Sequence, residues 1–139
     1  MLLGIPVRDR DGRDQTLTFT NGRKTILYVL SADCTWCQKN YNNIKALANS
    51  LGDEHTFAGI AHRAPSPKMS SYLTDYPLPF PVYFIDDSRL LAQLGLRATP
   101  TMLALGPDGR IQEFWVGALT GAQLERAEQF FGVDLPGSD

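Results

Sequence analysis

The chain has 139 residues, 43% hydrophobic and 20% charged, which is the composition of one globular domain over 1–139 and excludes disordered and fibrous classes. Thirteen Lys and Arg against fifteen Asp and Glu are scattered and leave a formal net charge of -2, so no nucleic-acid partner is expected. The longest apolar run, "TILYVL" at 25–30, falls far short of the roughly 20 residues a membrane helix requires, and no membrane contact is expected.

The opening "MLLGIP" lacks the basic and long apolar regions of a signal peptide. The residues alone therefore fit either a cytosolic chain or one whose leader or anchor was removed.

In chain order, Asp11-Gly12 is a turn signal, and with the alternating "TLTF" it predicts a hairpin or an irregular start. After a second turn at Asn21-Gly22, "KTILYVL" is a continuous β-branched and aromatic run, predicting a central strand buried on both faces. From Thr35 the period changes. Cys37, Tyr41, Ile44, Ala48 and Leu51 draw one apolar stripe on a helix that stops at Gly52. "TFAGIA" at 56–61 predicts a second buried strand. A short helix is expected from Pro67 to Tyr76, with the proline in its first turn, and "FPVYFI" at 80–85 is a third extended segment.

A helical piece, "SRLLAQLG", closes at Gly95. Thr99 to Leu105 then predicts a strand that "GPDG" turns into "RIQEFWV" as an antiparallel hairpin. Thr120 and Gln123 stand at capping-box spacing, and Leu124, Ala127, Phe130 and Phe131 mark the expected buried side of a last helix before Gly132. The order implies an α/β class: a central mixed β-sheet with helices on both faces.

Both cysteines lie in "DCTWC", three apart, where the apolar run gives way to the helix. Two cysteines in a chain this long exclude a disulfide-stapled scaffold. A closed zinc site needs four ligands, and only Cys34, Cys37, His55 and His62 are candidates, with no spaced histidine pair. His55 reads as a solvated loop residue and His62 as an ordinary loop histidine, although a soft-metal site of both thiols with His62 stays open. As a reactive pair, Cys34 sits where unpaired N–H groups and the helix dipole stabilise a thiolate. Cys37, one turn later on the buried side, is spaced to attack a mixed disulfide formed at Cys34. Cys34 is therefore the expected nucleophile and Cys37 the resolving thiol.

"ATPT" at 98–101 puts Pro100 at a strand entrance, as a plain strand start or as a cis Thr99-Pro100 bond. Asn40, Asn42, Asn43 and Asn49 weaken helix propensity and read mostly as a solvated face, with Asn40 alone placed to contact the thiols. Trp36 reads as an exposed aromatic rim for partners.

A strand ending in C-x-x-C at a helix start, then Thr-Pro, a Pro-Asp-Gly hairpin and a final helix resemble the thioredoxin-like superfamily. The middle segment 56–94, as a mid-chain insertion, and the N-terminal extension "DRDGRDQTLTF" look like the TlpA/ResA type of thiol-disulfide oxidoreductase, which is similar in outline to the redoxin (peroxiredoxin) group. The resemblance covers nearly the whole chain. It implies a thioredoxin-like fold and a Cys34-Cys37 pair cycling between dithiol and disulfide with no other cofactor. It also implies a cis-proline loop, Thr99 and Pro100, that binds substrate. Protein disulfide or dithiol substrates, a redox-partner protein, a monomeric state and an extracytoplasmic setting are further expectations.

This chain departs from the family pattern at four places. Thr35-Trp36 separates the cysteines where a proline is common before the second one, Asn40 stands for a glutamate, Asn42 for a helix proline, and Tyr28 for the buried aspartate of thioredoxin. Two other functions compete. Thiol peroxidases carry a proline and a threonine before the reactive cysteine, where this chain has Leu27 and Ser31. Thioredoxin-like copper carriers space their cysteines by three residues, not two.

Overall fold

The computed structural model describes residues 4–19 and 22–138. The expected Asn21-Gly22 turn lies partly outside them. Eleven elements follow in order: β1 (Gly4–Arg8), β2 (Asp14–Thr18), β3 (Lys24–Leu30), α1 (Thr35–Leu51), β4 (His55–His62), α2 (Pro67–Asp75), β5 (Val82–Ile85), α3 (Ser88–Leu94), β6 (Thr101–Leu105), β7 (Ile111–Val116) and α4 (Gly121–Phe131). The strands form one seven-stranded sheet in the order β2-β1-β5-β4-β3-β6-β7.

β3 is parallel to β4 and antiparallel to β6, and β4 is parallel to β5. Its alternation splits the core in two. Ile26, Tyr28 and Leu30 face one layer with Ile44 and Leu47 of α1, Tyr72 of α2 and Ala127 of α4, whereas Leu27 and Val29 face Ile5, Val7 and Leu91 of α3. A strand buried on both faces is what its unbroken apolar run demands. The parallel strands β3, β4 and β5 end at one pole of the sheet, and antiparallel β6 begins there. Among the described residues no helix is long and apolar enough to cross a membrane.

Local chemistry fixes the helix ends. The Ser66 hydroxyl accepts from the Met69 N–H at 3.1 Å, with Pro67 in the first turn of α2, and Asp87 caps α3 through the N–H groups of Arg89 and Leu90. Gly95 and Gly132 close α3 and α4 at φ 72° and 69°, a region that costs other residues a Cβ clash.

Four expectations are corrected. The buried face of α1 is turned from the apolar stripe: Asn40, Asn43 and Leu47 are buried with Cys37, Ile44 and Leu51, while Tyr41 and Ala48 are only half-buried. Asn43 therefore leaves the solvated face, because partners described below satisfy its amide. At α4, Thr120 makes no side-chain cap. Gln123 instead donates to Val116 O at 2.7 Å while Arg126 donates to Phe114 O at 3.1 Å and Glu113 accepts from the Phe114 N–H, so side chains occupy the outer edge of β7 and deter strand addition. Of the expected buried side of α4 only Ala127 is buried, and Phe130 is exposed. His55 is not a loop residue: it opens β4, its ring set edge-on to Phe131 at 6.4 Å.

Candidate functional site

β3 delivers the chain to the pole where Ser31 to Cys34 link it to α1. Cys34 is the N-cap of α1 in extended conformation, and its sulfur accepts from the Cys37 N–H at 3.0 Å. The arrangement follows from a buried strand feeding a helix without a Ser, Thr, Asp or Asn at the cap, which leaves the sulfur to meet one of the unpaired helix N–H groups. Cys34 and Cys37 form a disulfide with Cα atoms 5.1 Å apart. Cys34 retains 9% exposure and Cys37 none, so a partner approaching from solvent reaches Cys34 first.

The second loop of the site is set by strand pairing. Val29 pairs with Thr101, so the residues before β6 lie beside those after β3. The Thr99-Pro100 peptide is cis, the sharper of the two readings of that stretch. Ser31 and Thr99 hydroxyls meet at 3.2 Å, Thr101 Oγ1 donates to Ala98 O at 2.8 Å, and the Gly117 N–H donates to Pro100 O at 2.7 Å. Among the described residues the N–H and C=O of Thr99 make no hydrogen bond within the chain.

Trp36 projects with 50% of its surface exposed, and Lys39 Nζ sits 4.4 Å from its ring centroid, a cation–π pair at i, i+3 spacing. Asp33, next to Cys34, pairs with Lys68 at the start of α2. The hydrogen bond and charge of Lys68, and then the charge of Arg63, hold its carboxyl below the usual range.

Beneath the thiols lies a polar pocket that the residue pattern only half disclosed. Asn40 Oδ1 accepts from the Leu119 N–H at 3.0 Å, from Asn43 Nδ2 at 3.0 Å and from the Ser138 hydroxyl at 2.9 Å. Asn43 Oδ1 accepts from the Gly137 N–H at 2.8 Å. These amides hold the C-terminal segment against α1. The Tyr28 hydroxyl is buried close to the Asn40 side chain without completing a hydrogen bond, and desolvation pushes its ionisation well above the ordinary range. Desolvation also pushes Tyr72 up, to about 12. Among the described residues no carboxylate takes part in this network.

A cleft of about 610 Å³ lined by Lys24, His55, Phe130 and Phe131 lies at the opposite pole, where β3 begins. His62 directs Nε2 at Leu96 O, 2.8 Å away, and among the described residues no three His, Cys, Asp or Glu side chains gather as a metal site. Ser31, Asp33, Lys39, Arg63 and Lys68 are the site residues that pattern reading did not assign. Only the Trp36/Lys39 spacing offered a local signal.

The fold is thioredoxin-like, with a C-x-x-C disulfide at the start of its first helix. Three solved structures illustrate the likeness. DsbF of MTB, in mixed oxidized and reduced forms, is 23% identical, with 93% of this chain and 96% of that one covered at a TM-score of 0.75. StoA from Bacillus subtilis is 18% identical over 91% and 96%, at 0.68. A secreted Mycobacterium tuberculosis disulfide oxidoreductase homologous to E. coli DsbE is 18% identical over 92% and 94%, at 0.72. No protein-family model and no curated protein matches the chain.

Proposed function

We propose that this protein is a thiol-disulfide oxidoreductase that exchanges disulfides with polypeptide partners through Cys34 and Cys37. The observation that carries the reading is the asymmetry of the pair: Cys34 at a helix start, with 9% exposure and its sulfur hydrogen-bonded by a backbone N–H, against a fully buried Cys37 a turn later. A backbone N–H aimed at Cys34 stabilises negative charge on its sulfur, both as attacking thiolate and as leaving group.

In the reducing direction the Cys34 thiolate attacks one sulfur of a partner disulfide. A Cys34–partner bond forms, the partner S–S bond breaks, and the departing thiolate takes a proton from water. Cys37, having lost its proton, then attacks the Cys34 sulfur, re-forms the intramolecular disulfide and releases the second partner thiolate. Two electrons and two protons pass from the dithiol to the partner, and a redox-partner dithiol protein restores the reduced pair.

Thr99 and Pro100 flank this chemistry as the docking loop. The free N–H and C=O of Thr99 suit pairing with an extended partner strand, and Trp36 offers an apolar surface beside it. An extracytoplasmic setting accords with the secreted character of one similar protein.

Equilibration with a glutathione redox buffer, read by thiol trapping, tests the proposal. A cycling pair exchanges between dithiol and disulfide across the buffer range, whereas a bridge that stays oxidised to potentials far below about -300 mV is a structural one and sinks the reading.

A further inference from the structure

Three cationic side chains lie on the elements around the disulfide in a chain whose formal net charge is -2. Lys39 is held beside it by its stacking on Trp36, Lys68 pairs with Asp33 next to Cys34, and Arg63 follows β4, the neighbour of β3. We propose that Lys39, Arg63 and Lys68 form a basic collar that selects partner polypeptides whose reactive disulfide is flanked by Asp or Glu. The proposal rests on the exchange function above and names the class of substrate.

Arg63 supplies an independent observation. It is the one non-glycine at positive φ, 73°, among the described residues, a conformation that disfavours a long side chain. The strain is fixed by neighbours: the Arg63 N–H donates to Ile85 O at 2.7 Å, and the preceding His62 meets Leu96 O at 2.8 Å. Glycine or asparagine would relieve the backbone at this turn, yet the position carries an exposed guanidinium at the pole where β3 and β4 end. The charge, rather than the backbone, accounts for arginine here.

The carboxylates on the links that follow β3, β4 and β5 around the site are Asp33, Asp86 and Asp87. Asp33 precedes Cys34 in the chain, and Lys68 engages it. Asp86 and Asp87 follow β5 beside Arg63, whose N–H donates to Ile85 O, and Asp87 is occupied in capping α3. Exposed Arg97, two residues before Thr99, adds to the collar from the docking-loop side. A partner carboxylate near its cysteine meets this field while its backbone pairs with Thr99. A basic partner is repelled during encounter.

The test uses reduced full-length protein and two synthetic peptides, each closed by one disulfide and identical except for Asp/Glu or Lys/Arg residues flanking it. Oxidation of Cys34 and Cys37 is followed by acid quench and mass spectrometry. At about 20 mM salt the acidic peptide reacts about tenfold faster than the basic one, and at about 0.5 M salt the ratio falls towards unity. Arg63→Gly lowers the low-salt ratio at least about threefold while the thermal midpoint holds or rises, because glycine relaxes the positive-φ backbone. Lys39→Gln lowers the ratio in the same sense. Equal rates at low salt, or a preference indifferent to salt and to both substitutions, overturn the proposal. Failure of both peptides to oxidise the protein overturns the exchange function itself, and the collar with it.

Discussion

Ser138 donates its hydroxyl to Asn40 Oδ1 at 2.9 Å across 98 residues of sequence and accepts from Asn43 Nδ2 at 2.6 Å, one turn beyond the buried Cys37. The contact ties the C-terminal segment to the helix that carries the cysteines. Ser138→Ala removes the shortest partner of the Asn43 amide and one of the three donors to Asn40 Oδ1, which keeps the other two, so it costs about 1 kcal/mol of folding stability. Urea unfolding checks this: the midpoint falls at an unchanged slope, and an unchanged midpoint would show that the tail is not held there.

The difference in exposure and helix position between Cys34 and Cys37 predicts opposite outcomes for single substitutions. Cys34→Ser removes the attacking sulfur and abolishes exchange. Cys37→Ser leaves attack intact but removes the resolving thiol, so a mixed disulfide accumulates on Cys34. Mass spectrometry after incubation with a disulfide-bonded protein distinguishes them, and an adduct on Cys37 in the Cys34→Ser protein at a comparable rate would reverse the roles.

What the sequence disclosed and what it hid divide along the range of the interactions. β3, the start of α1 and the α3 closure at Gly95 were legible because their causes are local: a run buried on both faces, a change of period, a left-handed glycine. The C-x-x-C pair was legible for the same reason. Asn43 was misread because the partners that make its burial tolerable, Gly137 and Ser138, lie more than 90 residues away. Gln123 stands at capping-box spacing but is drawn to Val116 O on β7, a competing acceptor that spacing within the helix does not reveal. The Arg63 conformation left no trace in composition or period, since it is imposed by the neighbouring strand end.

Tyr28 carries a buried hydroxyl that completes no hydrogen bond, next to an Asn40 oxygen already taken by three donors. Tyr28→Phe removes an unsatisfied polar atom while keeping the ring in the core, so stability rises by about 1 kcal/mol rather than falling. A thermal midpoint that drops in the variant would mean that the hydroxyl is satisfied in solution.

His55 predicts a pH dependence with a definite sign. Desolvation is the first cause that lowers its ionisation below the ordinary 6.5, with the charge of Lys24 second, so the folded chain holds the ring neutral more strongly than the unfolded chain does. Below about pH 6.5 the unfolded state binds the extra proton, and by linkage stability is lost as pH falls from there to the folded-state value, then levels off. Above that window the contribution is complete. The ring is partly exposed, so the effect is modest and screened. His55→Gln keeps a polar side chain at the start of β4 but cannot take up the proton. Its thermal midpoint therefore changes less than the parent's between pH 7 and about pH 5.5, while the two remain parallel above pH 7. Parallel curves through the acidic window as well would show that His55 titrates at its ordinary value in the folded protein.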